Sequence, residues 1–164
     1  MAALDCDMEA QHMKYDLRRA NQGDYEFCYE LTKQNMYDLF CRHWGGWLDS
    51  EFRNGFVVDN IQIISVRDKA VGYFSHVSNK DSLYIDNIQL AAQFQGQGIG
   101  TKLLTDFLTQ NQHTLIRLTT FVDNPAKRLY EKLGFRVVVR NGSTIKMEIV
   151  PDKSLQATAD ASAG

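Results

Sequence analysis

Residues 95–100 (Gln-Gly-Gln-Gly-Ile-Gly) place a glycine at every second position between an apolar, β-branched run and an amphipathic helical pattern. Because glycine lacks a Cβ atom, such a backbone can turn sharply and approach a ligand closely. The first N–H groups of the following helix have no partners within that helix and lie at the positive end of its dipole. The segment therefore predicts a site for a phosphate or pyrophosphate group at the start of a helix.

Two other phosphate-binding patterns do not fit this segment. The dinucleotide pattern G-x-G-x-x-G would need a glycine where the chain has Thr101 or Leu103. The P-loop pattern G-x-x-x-x-G-K-[ST] is not supplied by residues 96–101 either. Taken alone, the segment leaves a second interpretation open, in which the glycines only form a tight turn at the start of a helix.

Hydrophobic periodicity predicts a mixed α/β layer in which helices pack on a sheet. The clearest boundary signals belong to a helix that begins near Asn124 and Pro125 and ends before Gly134. The second helical stretch is expected to break at Gly45 and Gly46. The predicted elements are a strand at 15–18, helices at 21–38 and 38–53, strands at 61–66, 70–78 and 83–90 with a turn at 68–69, a helix at 98–110, a strand at 114–121, the helix after 124, and strands at 135–140 and 143–150 around a turn at 141–142.

Composition and net charge limit the classes of protein to which this chain can belong. Apolar residues make up 44% of the chain and charged residues 23%, which is typical of a globular domain. The formal net charge of −2 gives no support for a nucleic-acid partner, and no apolar run reaches membrane-spanning length. We expect a loose leader over residues 1–13, a single domain over 14–151 and a disordered tail over 152–164.

The cysteines and histidines argue against a disulfide framework and against a metal site. The three cysteines have no C-x-x-C spacing, and the N-terminal residues lack the apolar segment of a signal peptide. His12, His43 and His113 stand at no metal-ligand spacing. We therefore expect a cytoplasmic protein that holds no metal.

A second motif, residues 124–135 (Asn-Pro-Ala-Lys-Arg-Leu-Tyr-Glu-Lys-Leu-Gly-Phe), follows downstream of the glycine-rich segment. With both motifs in this order, the sequence resembles the GNAT superfamily of acyl-CoA N-acyltransferases. The first motif is similar to the family signature Gln/Arg-x-x-Gly-x-Gly/Ala, with Gln95 in first place. The second resembles the family element N-x-x-A-x-x-x-Y-x-x-x-G-F, with Ala126 one residue nearer to the asparagine. The resemblance is sharpest over residues 83–135.

This resemblance implies a fold, a co-substrate and a set of binding residues. The implied fold is a GNAT-like α/β (α+β) architecture. It has a central mixed, mostly antiparallel sheet of six or seven strands, helices on both faces, and a splay between the fourth and fifth strands. The implied co-substrate is acetyl-CoA, with its pyrophosphate on the N–H groups of residues 97–101 and its pantetheine arm along residues 88–90. The expected cofactor-binding residues are Ile88, Gln89, Leu90, Gln95, Gly96, Gln97, Gly98, Ile99, Gly100, Thr101, Asn124, Lys127 and Tyr130.

Acyl transfer to an amine requires a neutral amine, a stabilised oxyanion and a proton for the departing thiolate. The resemblance implies that Tyr130 lies near the thioester sulfur, where it is the candidate acid; a purely structural core position is the alternative. Tyr84 and Asp86 share one face with residues 88 and 90 if the strand is regular, which directs both toward the acyl group. Asp86 is the candidate base or holder of a cationic amine, and a water chain or a solvent-facing aspartate is the alternative. A backbone N–H near Leu90 is the candidate oxyanion donor.

Residues 36–49 (MYDLFCRHWGGWLD) hold an aromatic cluster and are similar to a bacterial subgroup of the same family, with one additional glycine. Tyr37, Trp44 and Trp47 are expected to wall an acceptor pocket. A cationic amine there would be attracted by Asp38, Asp49 or Glu51, in addition to Asp86. The alternative is that the tryptophans are packing residues over the sheet.

The resulting hypothesis is an N-acetyltransferase that transfers the acetyl group of acetyl-CoA to a primary amine of a small molecule. The transfer is expected to proceed by direct attack within a ternary complex. The alternatives are a protein or peptide amine as the acceptor, and a non-catalytic acyl-CoA-binding sensor. We expect no nucleic-acid or membrane partner, and homodimerisation through the last hairpin stays open.

Overall fold

The computed structural model describes residues 14–151, and the expected leader over 1–13 and tail over 152–164 lie outside this range. Its helices are α1 (Tyr25–Trp44), α2 (Asp49–Gly55), α3 (Ile99–Gln110) and α4 (Lys127–Lys132), with short 3-10 turns at Gln22–Asp24, Val58–Asn60 and Ala92–Phe94. Its strands are β1 (Asp16–Arg19), β2 (Ile61–Val66), β3 (Lys69–Ser78), β4 (Ser82–Leu90), β5 (Leu115–Phe121), β6 (Arg136–Asn141) and β7 (Thr144–Ile149). In the described part of the chain, all seven strands join one sheet in the order β1-β2-β3-β4-β5-β7-β6.

In the middle of the sheet, β4 and β5 pair in parallel over only a short stretch. This short pairing determines where the sheet opens. It begins at Ser82↔Leu115 and ends at Ile85↔Leu118. Beyond that point β4 stays paired with β3 up to Leu90, while β5 stays paired with β7 up to Phe121. The two strands therefore diverge, and the predicted splay between the fourth and fifth strands is confirmed.

Helices cover both faces of this sheet, as predicted. On one face, α3 and α4 bury apolar side chains against the strands; these are Ile99, Leu103, Leu104, Phe107 and Tyr130. On the other face, Cys28 and Leu31 of α1 pack with Ile61, Ile63 and Tyr73 of the sheet. The apolar stripe of α3 is the one that its periodicity predicted, because helical residues three and four apart share a face.

The predicted boundary between two helices at Asp38 is wrong. Helix α1 continues through Asp38 to Trp44, since Tyr25–Trp44 contains neither proline nor glycine to stop it. Gly45 then adopts a left-handed conformation, with φ of 77°, and ends the helix, as is common for glycine at this position. The predicted break at Gly45 and Gly46 is thus correct, although the second helix is shorter than expected.

Three turns lie slightly away from their predicted places. The β2–β3 turn is formed by Arg67 and Asp68, both with positive φ, one residue earlier than expected. The last hairpin pairs Asn141 with Thr144, so its turn lies one residue later than predicted. Asn124 caps a turn before α4 rather than α4 itself, because its Oδ1 accepts a hydrogen bond from the Ala126 N–H at 3.0 Å.

Strand β4 is not regular, and this corrects the expectation that residues 84, 86, 88 and 90 share one face. The register against β3 passes from Ser75↔Asn87 to His76↔Ile85, so Asp86 is an extra residue in a β-bulge. Beyond the bulge, Ile88 and Leu90 pack against the same core as Ile85. Asp86 instead accepts a long hydrogen bond from Ser75 Oγ, at 3.5 Å. The bulge therefore separates the Asp86 carboxylate from the apolar side chains that follow it.

We predict that Gly72→Ala strongly destabilises the protein. An added Cβ at Gly72 would lie 2.2 Å from the carbonyl oxygen of Gln89, in the paired strand β4. Relieving this overlap requires the two strands to move apart, which we expect to lower the free energy of unfolding by about 3 kcal/mol, as in severe overpacking. Urea denaturation measures the effect.

The matched control is Gly55→Ala at the end of α2, where an added Cβ meets no atom within 4 Å. This variant should stay within about 1 kcal/mol of the parent protein, since only backbone freedom changes. Equal unfolding midpoints for the two variants would contradict the close β3–β4 approach.

Candidate active site

A cleft of about 1430 Å³ opens where β4 and β5 diverge, and we call it the splay cleft. Its walls are the second half of α1, the end of β4, the glycine-rich segment, the end of β5 and helix α4. The expected cofactor-binding residues that line it are Ile88, Gln89, Leu90, Gln95, Gly96, Gly98, Gly100, Thr101, Asn124 and Tyr130. The sheet topology thus brings most of the predicted set together.

The glycine-rich segment leaves open space at the start of α3. Gly96 and Gly98 have φ of 72° and 83°, and an added Cβ at either position would meet no atom within 4 Å. Gly98 is the N-cap of α3, and no side chain within residues 14–151 caps the helix there. The first backbone bond of the helix runs from the Lys102 N–H to the Gly98 carbonyl, at 2.9 Å. The earlier N–H groups of α3 are therefore free for an anion, which fits a pyrophosphate group.

Side-chain amides hold the end of β4 against α1. The carbonyl oxygen of Leu90 accepts hydrogen bonds from Asn35 Nδ2 and Gln95 Nε2, each at 2.9 Å. Asn35 also donates to Gln89 Oε1 at 3.0 Å, and Gln89 Nε2 donates to Asn87 Oδ1 at 2.8 Å. This amide chain links the glycine-rich segment to the bulged part of β4. We expected Gln95 to contact a cofactor, but its side chain instead holds the glycine-rich segment against the end of β4.

Sequence reasoning missed Asn35 because its partners lie 54 and 55 residues away. The available signal was a group of amide residues at the end of one strand and around the glycines. Nothing local connects that group to α1, so only the packed fold reveals the network.

Tyr130 lies on α4 and lines the splay cleft, with only 7% of its surface exposed. Its ring packs edge-on against Phe135, at 6.0 Å between centroids. Burial raises the pKa of Tyr130 to about 12, because the charged phenolate is poorly solvated there. Tyr130 therefore keeps its proton at neutral pH and can serve as a proton donor.

Asp86 occupies the point at which the two strands separate. It directly follows Ile85, the last β4 residue paired with β5. The residue is open to the cleft, yet surrounding protein atoms desolvate its carboxyl group and raise its pKa, an effect that the hydrogen bond from Ser75 opposes. Tyr84, two residues earlier, also lines the splay cleft. Desolvation makes Asp86 a better proton acceptor than an ordinary surface aspartate.

A second cavity, of about 460 Å³, adjoins the splay cleft, and we call it the aromatic cavity. Asp86 and Asn87 line both spaces. The aromatic residues around it are Phe40, Trp44, Trp47, Phe52, Phe56 and Tyr73. Asp86 thus stands at the junction between a cleft with an anion site and a largely apolar chamber.

A hydrogen bond and an ion pair link the end of α1, across the splay cleft, to the loop after β5. His43 Nε2 lies 2.6 Å from Asp123 Oδ1, and Arg42 forms an ion pair with the same carboxylate. The His43 ring also stacks on Phe121, with centroids 4.9 Å apart. The hydrogen bond from His43 and the nearby Arg42 guanidinium hold the pKa of Asp123 below its usual value. These contacts fix one wall of the cleft.

The structure does not bring every expected residue to the site. Tyr37 is 47% exposed and lines neither cavity, because the cleft-facing stripe of α1 passes through Asn35, Leu39 and Phe40 instead. Lys127 lies outside both linings, and its Nζ pairs with Glu131 at 3.1 Å.

Three further expected residues make contacts of a different kind. Gln97 Nε2 donates to the Gln93 carbonyl at 2.6 Å and so stabilises the turn. The Ile99 side chain is buried in the core, leaving only its backbone at the helix start. Asn124 lines the cleft, but its Nδ2 donates to Thr120 Oγ1 at 3.0 Å, so its side chain fixes the loop before α4.

Residues 14–151 offer neither a cluster of metal ligands nor a membrane-spanning helix. In the range 14–151, His, Cys, Asp and Glu side chains form no group of three or more suited to a metal ion. None of the helices described in that range combines the length and the apolar character needed to cross a membrane.

Comparison with known proteins shows the family. A sequence model of the acetyltransferase (GNAT) domain matches residues 53–137, which is more than half of the chain. The chain therefore belongs to the GNAT acetyltransferase family, and the resemblance of its two motifs is confirmed. A comparison with curated protein sequences found no match.

Solved structures share this fold. PH1933 from Pyrococcus horikoshii OT3 is 25% identical with a TM-score of 0.63, over 85% of this chain and 99% of that one. The PaiA N-acetyltransferase from Thermoplasma acidophilum, in complex with coenzyme A, is 15% identical with a TM-score of 0.64, over 83% and 98% of the chains. Naa50 from Arabidopsis thaliana, in complex with the bisubstrate analogue CoA-Ac-MVNAL, is 15% identical with a TM-score of 0.60, over 82% and 97%. The GNAT-like fold is thereby confirmed.

Proposed function

We propose that this protein is an N-acetyltransferase that moves the acetyl group of acetyl-CoA to a primary amine of a small molecule. One observation carries the proposal. The splay cleft brings together an uncapped helix start, a buried tyrosine that keeps its proton, and a desolvated carboxylate. These groups serve anion binding, protonation of a leaving group and acceptance of a proton. Residues 14–151 would form the whole catalytic domain.

The donor would lie along the splay cleft. Its pyrophosphate fits the open space over Gly96 and Gly98, where the free N–H groups of α3 supply the hydrogen bonds. Its pantetheine arm would run along the main chain of residues 88–90, in the gap that β5 leaves. The relative from Thermoplasma acidophilum, solved with coenzyme A, supports this choice of donor.

The acetyl group carries the electrophilic carbon, and residues of this chain would accept and donate the protons that the reaction requires. An ammonium group held beside Asp86 loses one proton to that carboxylate, directly or through water, and the resulting neutral amine attacks the thioester carbon. The attacking nitrogen loses its second proton to water as the amide forms. The N–H at Leu90 or a near neighbour would stabilise the developing oxyanion. As the C–S bond breaks, Tyr130 gives its proton to the thiolate and is reprotonated from solvent. Tyr84, beside Asp86 on β4, would help to confine the amine.

The shape of the acceptor side favours a small molecule over a peptide. The chamber next to Asp86 has a volume of about 460 Å³, and Asp123 ties α1 to the far wall of the splay cleft. An extended peptide needs an open groove, and the contacts between Asp123 and α1 narrow the cleft. The complex of Arabidopsis thaliana Naa50 with CoA-Ac-MVNAL supports the peptide alternative. A non-catalytic sensor would need neither Tyr130 nor Asp86.

We predict that Gly98→Val abolishes detectable binding of coenzyme A. The valine side chain would fill the space that we assign to the pyrophosphate, and its backbone would be strained at φ of 83°. Isothermal titration calorimetry with coenzyme A measures the loss.

Gly142→Val is the matched control, since Gly142 also has a positive φ and open space but lines neither cavity. It should bear a similar strain and retain the affinity of the parent protein. Normal affinity of folded Gly98→Val protein for coenzyme A would exclude the proposed phosphate site.

We predict that Tyr130→Phe lowers the rate of the chemical step by about 100-fold, the lower range for loss of a general acid. Coenzyme A affinity should stay nearly unchanged, because the ring and its packing against Phe135 remain. Thiol release at saturating substrate gives the rate, and calorimetry gives the affinity. Tyr37→Phe, an exposed change outside both cavities, is the control. Unchanged turnover would remove Tyr130 from the mechanism.

A further inference from the structure

We propose that the acceptor is an arylalkylamine without a carboxylate, an aromatic ring joined to a primary amine by a short alkyl chain. This inference rests on the proposed acetyl transfer and adds the class of amine. The ring would occupy the aromatic cavity and the amino group would lie at Asp86. Three features support this class of amine: the aromatic walls of the cavity, the polar residues where it meets the splay cleft (the polar junction), and the charged residues in its lining.

The walls of the aromatic cavity suit an aromatic ring. Trp47 packs against Phe40 at 5.3 Å and against Phe52 at 6.1 Å, measured between ring centroids, and Phe52 lies 6.0 Å from Phe56. The first pair meets edge to face, whereas the other two are tilted. Such an arrangement offers both ring faces and ring edges to an entering ring, which is the geometry that aromatic pairs prefer.

The polar junction has one strong site for an ammonium group. Thr32 Oγ1 donates to the Cys28 carbonyl at 2.7 Å and lies 2.5 Å from Tyr73 Oη, so these two hydroxyl groups already satisfy each other. Asp86, by contrast, accepts only the long hydrogen bond from Ser75 among residues 14–151. An amine at the mouth of the aromatic cavity would therefore bind to the Asp86 carboxylate, next to the cleft assigned to the thioester.

The charges around the cavity exclude an amino acid as the acceptor. Among the residues that line it, Glu51 and Asp86 are the charged ones, and both are acidic. A substrate carboxylate would be repelled by both, with no lysine or arginine in that lining to pair with it. The volume of about 460 Å³ lies in the lower part of the range for small-molecule pockets. A ring with a short aminoalkyl arm fits these limits.

The chain offers a binding test that does not depend on activity. It has two tryptophans, Trp44 and Trp47, and both line the aromatic cavity. Intrinsic tryptophan fluorescence should therefore change when the cavity fills. The full chain would be titrated with 2-phenylethylamine and, separately, with phenylalanine, which differs by the added carboxylate. n-Hexylamine, spermidine and a tetrapeptide with a free N-terminus complete the panel, and thiol release with acetyl-CoA is measured for each.

We expect saturable fluorescence changes with 2-phenylethylamine and an affinity at least about tenfold lower for phenylalanine and spermidine. Thiol release should follow the same order. Phe52→Leu and Asp86→Asn should each weaken binding of 2-phenylethylamine by about tenfold or more. Phe52→Leu keeps an apolar side chain, so we expect the fold to be retained. Tyr37→Leu, an exposed aromatic change on α1 outside both cavities, should leave binding unchanged.

Two results separate failure of this inference from failure of the proposed function. Fast thiol release with spermidine, phenylalanine or the peptide, and no preference for 2-phenylethylamine, would overturn the arylalkylamine class while leaving acetyl transfer in place. Saturable binding of 2-phenylethylamine without thiol release from any acceptor would leave the cavity assignment standing and contradict the proposed reaction. Absence of a fluorescence change with 2-phenylethylamine would overturn the inference directly.

Discussion

The short parallel pairing between β4 and β5 opens the sheet at its centre and so creates the cleft around which the candidate site is built. Each strand stays paired with its antiparallel neighbour, β3 or β7, up to its end, whereas the pairing between β4 and β5 stops at Ile85 and Leu118. The gap exposes the end of β4 and sets the glycine-rich start of α3 beside it. Parting strands leave backbone groups unpaired within the fold, and such groups need partners. A ligand with amide groups, such as pantetheine, is a suitable partner.

Local signals predicted the parts of the fold that local physics determines. The apolar stripe of α3 and the glycines at its start follow from helix periodicity and from the backbone freedom of glycine. The bulge at Asp86 did not follow, because it depends on register against β3, which no pattern within β4 reveals. The length of α1 was missed because its boundary was set at Asp38, where nothing stops a helix. Tyr37 was misplaced for another reason, because the face of α1 that lines the cleft is determined by packing against the sheet.

The site shows the same division between local and tertiary information. The motif around Tyr130 placed this residue in the cleft, whereas the amide chain from Asn35 to Asn87 exists only because α1 packs against β4. Desolvation by the surrounding protein raises the pKa of Asp86. The bulge places the same residue between the two cavities. The bulge thus turns a strand aspartate toward the chamber where an amine would lie. Packing, rather than sequence motif, therefore determines the acceptor side.

The proposed function depends above all on coenzyme A binding in the splay cleft with its pyrophosphate at the start of α3. Backbone amide shifts in ¹H–¹⁵N correlation spectra, recorded while coenzyme A is added to the full chain, test it most directly. We expect the largest changes at Gly96, Gly98 and Thr101 and along residues 86–90, where the free N–H groups and the diverging strand lie. Changes confined to other parts of the chain, such as the β6–β7 hairpin, would contradict it.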